Sequence, residues 1–401
     1  MIKGRSFPGN VLLCQQSEPL SPPDYSSHLD RDEDEPNEGS QEGEGPSSGN
    51  STDNTSAKKS NCPSTSSTNP LPDAQGIVFG ARATDSARIA KFTEELSRPA
   101  VILDKLRELS WSGAPPYMRP NIWRLLLGYA PPNKERRDSV LTRKRLEYVE
   151  YVSQYYDIPD SDRVDEEIDM LRQIAVDCPR TAPDVTFFQN LQIQKSLERI
   201  LYTWSIRHPA SGYVQGINDL VTPFLVVFLS EHLEGNIDTW SSDDLSPQDI
   251  SNIEADCYWC LSKFLDVMQD HYTFAQPGIQ RLVFRLKELV RRIDKPLSKQ
   301  IEEQGLEFLQ FFPLVPFHLA TRLWDTYLAE GDYLPDFLLY IAASFLLTWS
   351  DKLQKLDFQE MVMFLQRLPT RTWGHHELEM VLSRAYMWHT MFKSSPSHLT
   401  S

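Results

Sequence analysis

Two short pieces decide how this chain is read: Ile174-Ala-Val-Asp177-Cys-Pro-Arg180-Thr181 and, with Gln215 lying 35 residues beyond Arg180, Tyr213-Val-Gln215-Gly216. Upstream of the first, Val164, Ile168, Leu171 and Ile174 recur at amphipathic helical spacing. Pro179 disfavours helical backbone at Cys178 and removes a donor, so this helix should stop just before Arg180 and leave it on a loop. Asp177, three residues earlier, is close enough to orient the Arg180 guanidinium. Pro209, Ser211 and Gly212 break the next helix, so Tyr213 to Gly216 again follows a break. Between the two pieces, Leu197, Ile200, Leu201 and Trp204 form one apolar stripe. That helix should hold the pieces at a fixed separation. Either residue alone would read as a surface arginine or a solvated amide; the helix breaks support an exposed position for both.

Outward from this centre the periodicity is helical almost throughout. Leu220 to Leu229 is nearly continuous apolar sequence, the mark of a helix buried on most sides. Upstream, order begins near Thr84, where Thr84/Asp85 offer an N-cap before Ile89, Phe92 and Leu96. Leu103, Leu106 and Leu109 mark a second helix, and Arg136 to Tyr156 a charged, Tyr-rich one. His208 reads as a capping or surface histidine. Downstream, Glu234 to Ser246 is a polar loop, and Ser246-Pro247-Gln-Asp249 a helix start with a hydroxyl cap and proline at the first helical position. Cys257-Tyr-Trp-Cys260 lies on an apolar helical face with Phe264 and Leu265; with no second pair, these are core cysteines rather than a metal or redox site. Ile279 to Ile293, Leu338 to Trp349, Met361 to Leu368 and Leu378 to Met391 continue the helical pattern, and hairpin signals are missing. The fold class expected is all-α.

Composition narrows the partners. The chain has 401 residues, 40% of them hydrophobic, and a net charge of −16. An acidic surface argues against nucleic acid, whose phosphates need a basic face. The five cysteines are scattered, as suits reduced thiols in a reducing compartment. The apolar run Val11-Leu-Leu-Cys14 is too short for a signal peptide, no run of about 18 apolar residues could span a bilayer, and neither end carries a myristoylation or prenylation signal. Residues 1–80, with the acidic run Asp30-Arg-Asp-Glu-Asp-Glu-Pro-Asn-Glu38 and Gly/Ser/Pro/Thr-rich sequence after it, read as a disordered tail, a solvated linker or a docking segment for an adaptor.

The two opening pieces resemble the signature motifs I-x-x-D-x-x-R and Y-x-Q of the TBC (Tre-2/Bub2/Cdc16) domain, found in GTPase-activating proteins of Rab GTPases. Further motifs follow in the family's order. Arg119-Pro-Asn-Ile-Trp123-Arg-Leu-Leu-Leu127-Gly128, after the turn at Trp111 to Pro116, is similar to the opening R-x-x-x-W and L-L-G segment, with Ala114 where the family usually has Ile or Val. Arg322-Leu323-Trp324-Asp325 is similar to its R-h-W-D motif, where h is apolar. Phe274 to Gln280 and Tyr213 to Phe224 carry a closer likeness to one branch of the family. The resemblance spans about residues 100 to 392. It implies a two-lobed helical TBC domain at 81–392, between the tail and a flexible end at 393–401.

It also implies a mechanism. Arg180 would be an arginine finger and Gln215 a glutamine finger, with Asp177, Tyr213, Gly216, Thr181, Arg119 and Trp123 in support. The residue types suit the chemistry. A guanidinium is permanently charged and offers a flat fork of donors to the spreading phosphoryl charge. A carboxamide can accept from the attacking water and donate to a phosphoryl oxygen, which a carboxylate cannot. Arg119 and Trp123, four apart, share a helix face and would help position the catalytic segment. The implied partner is a GTP-bound Rab that carries its own GTP and Mg²⁺, so this chain should need no cofactor. It should be cytoplasmic and reach endomembranes, Golgi or endosomal, through partners, without inserting. The alternative is a scaffold that holds a GTPase or adaptor on the same surface without catalysis.

One departure stands out. Between Leu309 and Trp324 the family usually has an amphipathic helix with an R-W pair; here stands Gln310-Phe311-Phe312-Pro313-Leu314-Val315-Pro316-Phe317. About a dozen residues, some three turns of helix, are missing by this reading. Leu319, Leu323 and Trp324 should then lose packing partners, and the C-terminal half should be weakened.

Overall fold

Ile217–Leu229 shows why the chain folds as it does. Every residue of this helix except Val226 is buried, as its mostly apolar run requires, and Asn218, Asp219 and Thr222 are buried with it. Other helices must therefore cover it on all sides. The computed structural model describes residues 83–273, 276–306 and 315–393. Among them are fifteen α-helices. They are α1 (Ala83–Ser97), α2 (Leu103–Trp111), α3 (Arg119–Leu126), α4 (Lys134–Tyr151) and α5 (Asp165–Asp177). Then come α6 (Leu191–Arg207), α7 (Ile217–Leu229), α8 (Pro247–Val267), α9 (Pro277–Ile293) and α10 (Lys295–Glu303). The last are α11 (Phe317–Glu330), α12 (Leu334–Leu347), α13 (Ser350–Leu353), α14 (Phe358–Gln366) and α15 (His375–Lys393). The described residues include no strand, only an isolated bridge between Ala100 and Asn133. The all-α reading holds.

Local signals explain the boundaries. The Ser246 hydroxyl accepts from the Asp249 amide and the Asp249 carboxylate accepts from the Ser246 amide, a reciprocal cap that starts α8. The α1 start lies one residue ahead of the Thr84 signal. The charged helix α4 runs into a five-residue π-helical turn at Val152–Tyr156. His208 caps α6: its ring Nδ1 lies 2.7 Å from the Trp204 carbonyl and its ring stacks on Trp204. Cys257 and Cys260 are fully buried free cysteines, as expected of core positions.

The helices pack in two groups that α11 joins. In one, α4, α6 and α7 pack on α8, and α5 on α6. In the other, α12 packs on α9 and α15, and α9 on α10. Helix α11 touches α2, α3, α7, α12 and α15. Its Trp324 is the centre of an aromatic seam. The ring stacks on Phe264 at 4.5 Å and meets Phe224 edge-on at 4.9 Å, with Trp123 at 6.1 Å. Such pairs add about 0.5–1.5 kcal/mol each beyond their burial.

This seam corrects one expectation. Leu319, Leu323 and Trp324 keep their packing and are 0%, 1% and 0% exposed. The rings around Trp324 come from α3 (Trp123), α7 (Phe224) and α8 (Phe264), and all three residues remain buried beside the short stretch at Phe311-Phe312. That stretch itself lies outside the described residues, as do the acidic tail at 1–80 and residues 394–401. No helix among the described residues is long and apolar enough to cross a membrane.

Candidate functional site

The first piece lies at the end of α5. Ile174 is fully buried on the helix's inner face, and the α-helix ends at Asp177. The chain does not pass into a loop there. Cys178–Arg180 forms a 3₁₀ turn, closed by the Thr181 amide donating to the Cys178 carbonyl at 3.2 Å. Cys178 keeps helical dihedrals, φ −55° and ψ −47°, in front of a proline. Burial favours this: Cys178 is 2% exposed and lies one turn beyond the buried Ile174, so continuing the turn keeps its side chain on the same inner face. The same burial pushes its thiol up to about 12, which makes it inert. The turn then alternates Cys178 inward, Pro179 and Arg180 outward, Thr181 inward. Ala182 follows in the left-handed region at φ 43°, a strained conformation for a residue with a Cβ.

The second piece lies at the start of α7. Gly216, at φ 103°, is the residue before the helix. The sharp entry needs that left-handed conformation, and glycine adopts it without cost. Tyr213 and Gly216 are buried, while Gln215 is half-buried. Deeper in α7, Pro223 has no N–H for the carbonyl of Asp219 one turn back. The Thr222 hydroxyl donates to that carbonyl instead, at 2.9 Å, so the buried acceptor is satisfied.

One polar network ties the two pieces together. The Tyr213 hydroxyl donates to Asp177 Oδ2 at 3.0 Å. Asn218 Oδ1 accepts from the Gly216 amide at 2.9 Å, and Asn218 Nδ2 donates to Thr181 Oγ1 at 2.9 Å. Thr181 Oγ1 in turn donates to the Asp177 carbonyl at 3.1 Å. Asp177, Thr181, Tyr213 and Gly216 are thus brought together as a frame. Arg180 is exposed and Gln215 half-exposed, and no hydrogen bond or ion pair engages either side chain among the described residues.

Asp177 does not hold Arg180 as expected. Its carboxylate is buried and accepts from the Tyr213 hydroxyl, with no ion pair to the guanidinium among the described residues. Only a longer-range attraction remains: burial raises the Asp177 pKa, and the Tyr213 hydrogen bond and the Arg180 charge pull against that rise. Asp219, 3% exposed, is pushed up to about 7 by burial and then by its neighbour Asp177. Asn218 and Asp219 were not singled out from sequence. The available signal was a polar pair interrupting the apolar run Ile217 to Leu229.

Arg119 and Trp123 lie apart from this frame and meet at another carboxylate. Asp325, fully buried on α11, accepts from Arg119 Nε at 3.0 Å, Trp123 Nε1 at 2.8 Å and the Ala114 amide at 2.8 Å. Their link to the site runs through α7, because the Trp123 ring meets Phe224 edge-on at 5.8 Å. Ala114, the departure from the family pattern, contributes its backbone to this hub. Nearby, Gly113 has φ 101°, and a Cβ there would lie 2.9 Å from the Arg322 side chain. Arg322 is itself held by Glu379 at 2.7 Å.

The chain is similar to known proteins over the same region. Residues 116–354 match the family model described as the Rab-GTPase-TBC domain. TBC1 domain family member 22B of Homo sapiens is 46% identical over 324 residues, covering 78% of this chain and 64% of that protein. GTPase-activating protein gyp1 of Schizosaccharomyces pombe is 45% identical over 326 residues, covering 78% of this chain and 63% of that protein. The chain therefore spans a little under two thirds of the length of these relatives. The crystal structure of the Ypt/Rab-GAP domain of Gyp1p superposes with a TM-score of 0.70 at 40% identity, covering 77% of this chain and 99% of that one. A family match over more than half of the residues, with relatives this close, establishes that the chain belongs to the Rab-GTPase-TBC domain family.

Proposed function

We propose that this chain binds a GTP-loaded Rab-family GTPase and accelerates its GTP hydrolysis, with Arg180 as arginine finger and Gln215 as glutamine finger. One observation carries the reading. The hydrogen bonds that fix the two pieces end on Asp177, Thr181, Tyr213, Gly216 and Asn218, and among the described residues leave the Arg180 and Gln215 side chains without a bond of their own. The relatives named as GTPase-activating proteins support the same conclusion.

The chemistry follows from that arrangement. The GTPase brings its nucleotide and Mg²⁺. The Arg180 guanidinium reaches the charge that develops on the transferred phosphoryl group and leaving oxygen, a contribution of about 10³–10⁵ in rate for a finger supplied in trans. Gln215 holds the attacking water in line. Both side chains are drawn from rigid, already bonded turns, so little ordering remains to be done on binding. Arg119 and Trp123 position this frame indirectly, through Asp325 and Phe224. The helical unit is taken as 81–392, with the acidic tail a docking segment for an adaptor. Recruitment is peripheral, from the cytoplasm to a Golgi or endosomal membrane carrying the partner Rab.

Single-turnover GTP hydrolysis across a panel of purified Rabs tests this. At least one Rab should be stimulated strongly by the wild-type chain. Arg180→Ala should abolish that stimulation, and Arg180→Lys should fail nearly as badly because an ammonium lacks the fork. Stimulation unchanged in Arg180→Ala would sink the finger assignment; wild-type binding of a Rab without stimulation would favour the scaffold.

A further inference from the structure

We propose that Asn218 is a positioning residue which, together with Thr181, clamps the two finger turns at a fixed separation. The inference rests on the hydrolytic reading above. Thr181 directly follows Arg180, and Gly216 directly follows Gln215. The Asn218 side chain is bonded to both: its Nδ2 to Thr181 Oγ1 at 2.9 Å, its Oδ1 to the Gly216 amide at 2.9 Å. It touches neither finger. One carboxamide therefore spans the residues behind the two fingers, from two helices that are far apart in sequence.

The site is built for an amide. The Gly216 amide can only donate, so it fixes which end of the carboxamide is oxygen. The nitrogen then faces Thr181 Oγ1, whose own proton goes to the Asp177 carbonyl at 3.1 Å. The Tyr213 hydroxyl, bonded first to Asp177, also lies 3.3 Å from Asn218 Oδ1. The second Asn218 N–H faces Asp219 Oδ1 at 3.5 Å. Asn218 is 3% exposed and Thr181 0%, so water cannot substitute for a lost partner without rearrangement. Aspartate at 218 would keep the acceptor, lose the donor and place a third carboxylate beside Asp177 and Asp219. Alanine would disconnect the turns.

A displaced finger costs rate rather than affinity, because it matters only as charge develops in the transition state. Misplacement by about 1 Å can cost on the order of 10²-fold. Thr181→Val removes the acceptor while keeping the side chain's size; Thr181→Ser keeps the acceptor; Asn218→Asp removes the donor. The full chain is assayed with the most strongly stimulated Rab of the panel. Thr181→Val and Asn218→Asp should lower kcat roughly 10-fold to 100-fold with KM within about two-fold, and Thr181→Ser should recover most of the loss. The double variant should be no worse than the poorer single one. Hydrogen exchange gives a second readout that needs no GTPase: Thr181→Val should speed exchange of amides 213–217, in the turn that was not altered.

Wild-type kcat in Thr181→Val and Asn218→Asp, or losses that multiply in the double variant, would overturn the clamp. Should the wild-type chain stimulate no Rab, the hydrolytic reading falls and exchange alone judges the clamp. Faster exchange at 213–217 then upholds it, and unchanged exchange there overturns it.

Discussion

Arg124 and Arg180 are both arginines of one helical protein, and their surroundings could hardly differ more. Arg124 is 7% exposed. Its guanidinium donates to Asp256 Oδ2 at 2.6 and 3.0 Å and to Glu231 Oε1 at 2.9 Å, and lies over the Phe228 ring. Asp256 is further bonded by Arg145 and by the Tyr129 hydroxyl. Arg180 is exposed, and the carboxylate of Asp177, three residues before it, accepts from Tyr213. A buried charge must be paired and bonded, because desolvation is otherwise unaffordable. The role proposed for Arg180, meeting a visiting phosphate, would be served by the opposite arrangement. Its donors stay free, and no internal bond has to break when the partner arrives. The difference separates an arginine that holds the fold from one available to another molecule.

The largest effects would break or confirm this contrast directly. Arg180→Ala should cost stimulated hydrolysis about 10³-fold or more. Its unfolding free energy should stay within about 0.5 kcal/mol of wild type, as for an exposed, unbonded side chain. Arg124→Ala should do the reverse in kind: about 3–5 kcal/mol of stability should go, because Glu231 and Asp256 are left short of a partner. Denaturant titrations of both variants beside the hydrolysis assay check the pair. A stability loss in Arg180→Ala equal to that in Arg124→Ala would erase the distinction.

The carboxylates of the two regions sharpen it through pH. Burial alone would raise Asp256, but Arg124 and Arg145 outweigh it and hold the carboxyl below its usual range. Asp219 has no such cation and is pushed up to about 7. An acid whose folded pKa is raised keeps its proton in the folded state while the unfolded chain has lost it. Stability from this group is therefore present at low pH and falls as pH rises from about 4 to about 7. Asp219→Asn should remove that slope. At about 1.4 kcal/mol per unit, the variant should gain roughly 2–4 kcal/mol over wild type at pH 8, and much less at pH 4.5. Urea unfolding at the two pH values measures it; a gain equal at both would show that Asp219 is already ionised at the lower one.

The smallest effect concerns backbone strain. Ala182, two residues past Arg180, sits at φ 43°. Ala182→Gly relieves that strain but gives the unfolded chain more freedom, and the two should nearly cancel to within about 1 kcal/mol. The denaturation midpoint should barely move while amides 178–182 exchange faster. A midpoint shifted strongly upward would mean that the strain, not the hydrogen-bond frame, dominates this turn.

The helices were legible because each carries its own apolar period and stop signals, as Ser246-Pro247 and the stripe on α9 do. The exposed position of Arg180 was also legible, but not its backbone. The preference of Pro179 was overridden by the burial of Cys178, a tertiary demand that no local rule contains. Asp177 was expected beside Arg180 on spacing alone; the structure gives its carboxylate to a tyrosine 36 residues away. Asn218 was missed for a related reason, since its partner Thr181 lies 37 residues away, just past the other turn. Arg119, Trp123 and Asp325 were each visible in motifs, yet their convergence on one carboxylate was not. The expected loss of packing partners around Trp324 overlooked the rings that α3, α7 and α8 supply.

That convergence bears on how the protein is made. Asp325 follows its partners Ala114, Arg119 and Trp123 by 211, 206 and 202 residues. Synthesis proceeds at about 5–20 residues per second, so α3 leaves the ribosome roughly 10–40 s before the carboxylate that completes it. Through that interval the Trp123 indole and the Arg119 guanidinium lack their acceptor, and the apolar faces of α3 and α7 lack the ring of Trp324. The nascent N-terminal half is thus a natural client for chaperones. A ribosome stalled before α11 would display a sticky intermediate, and one stalled after it a chain able to close.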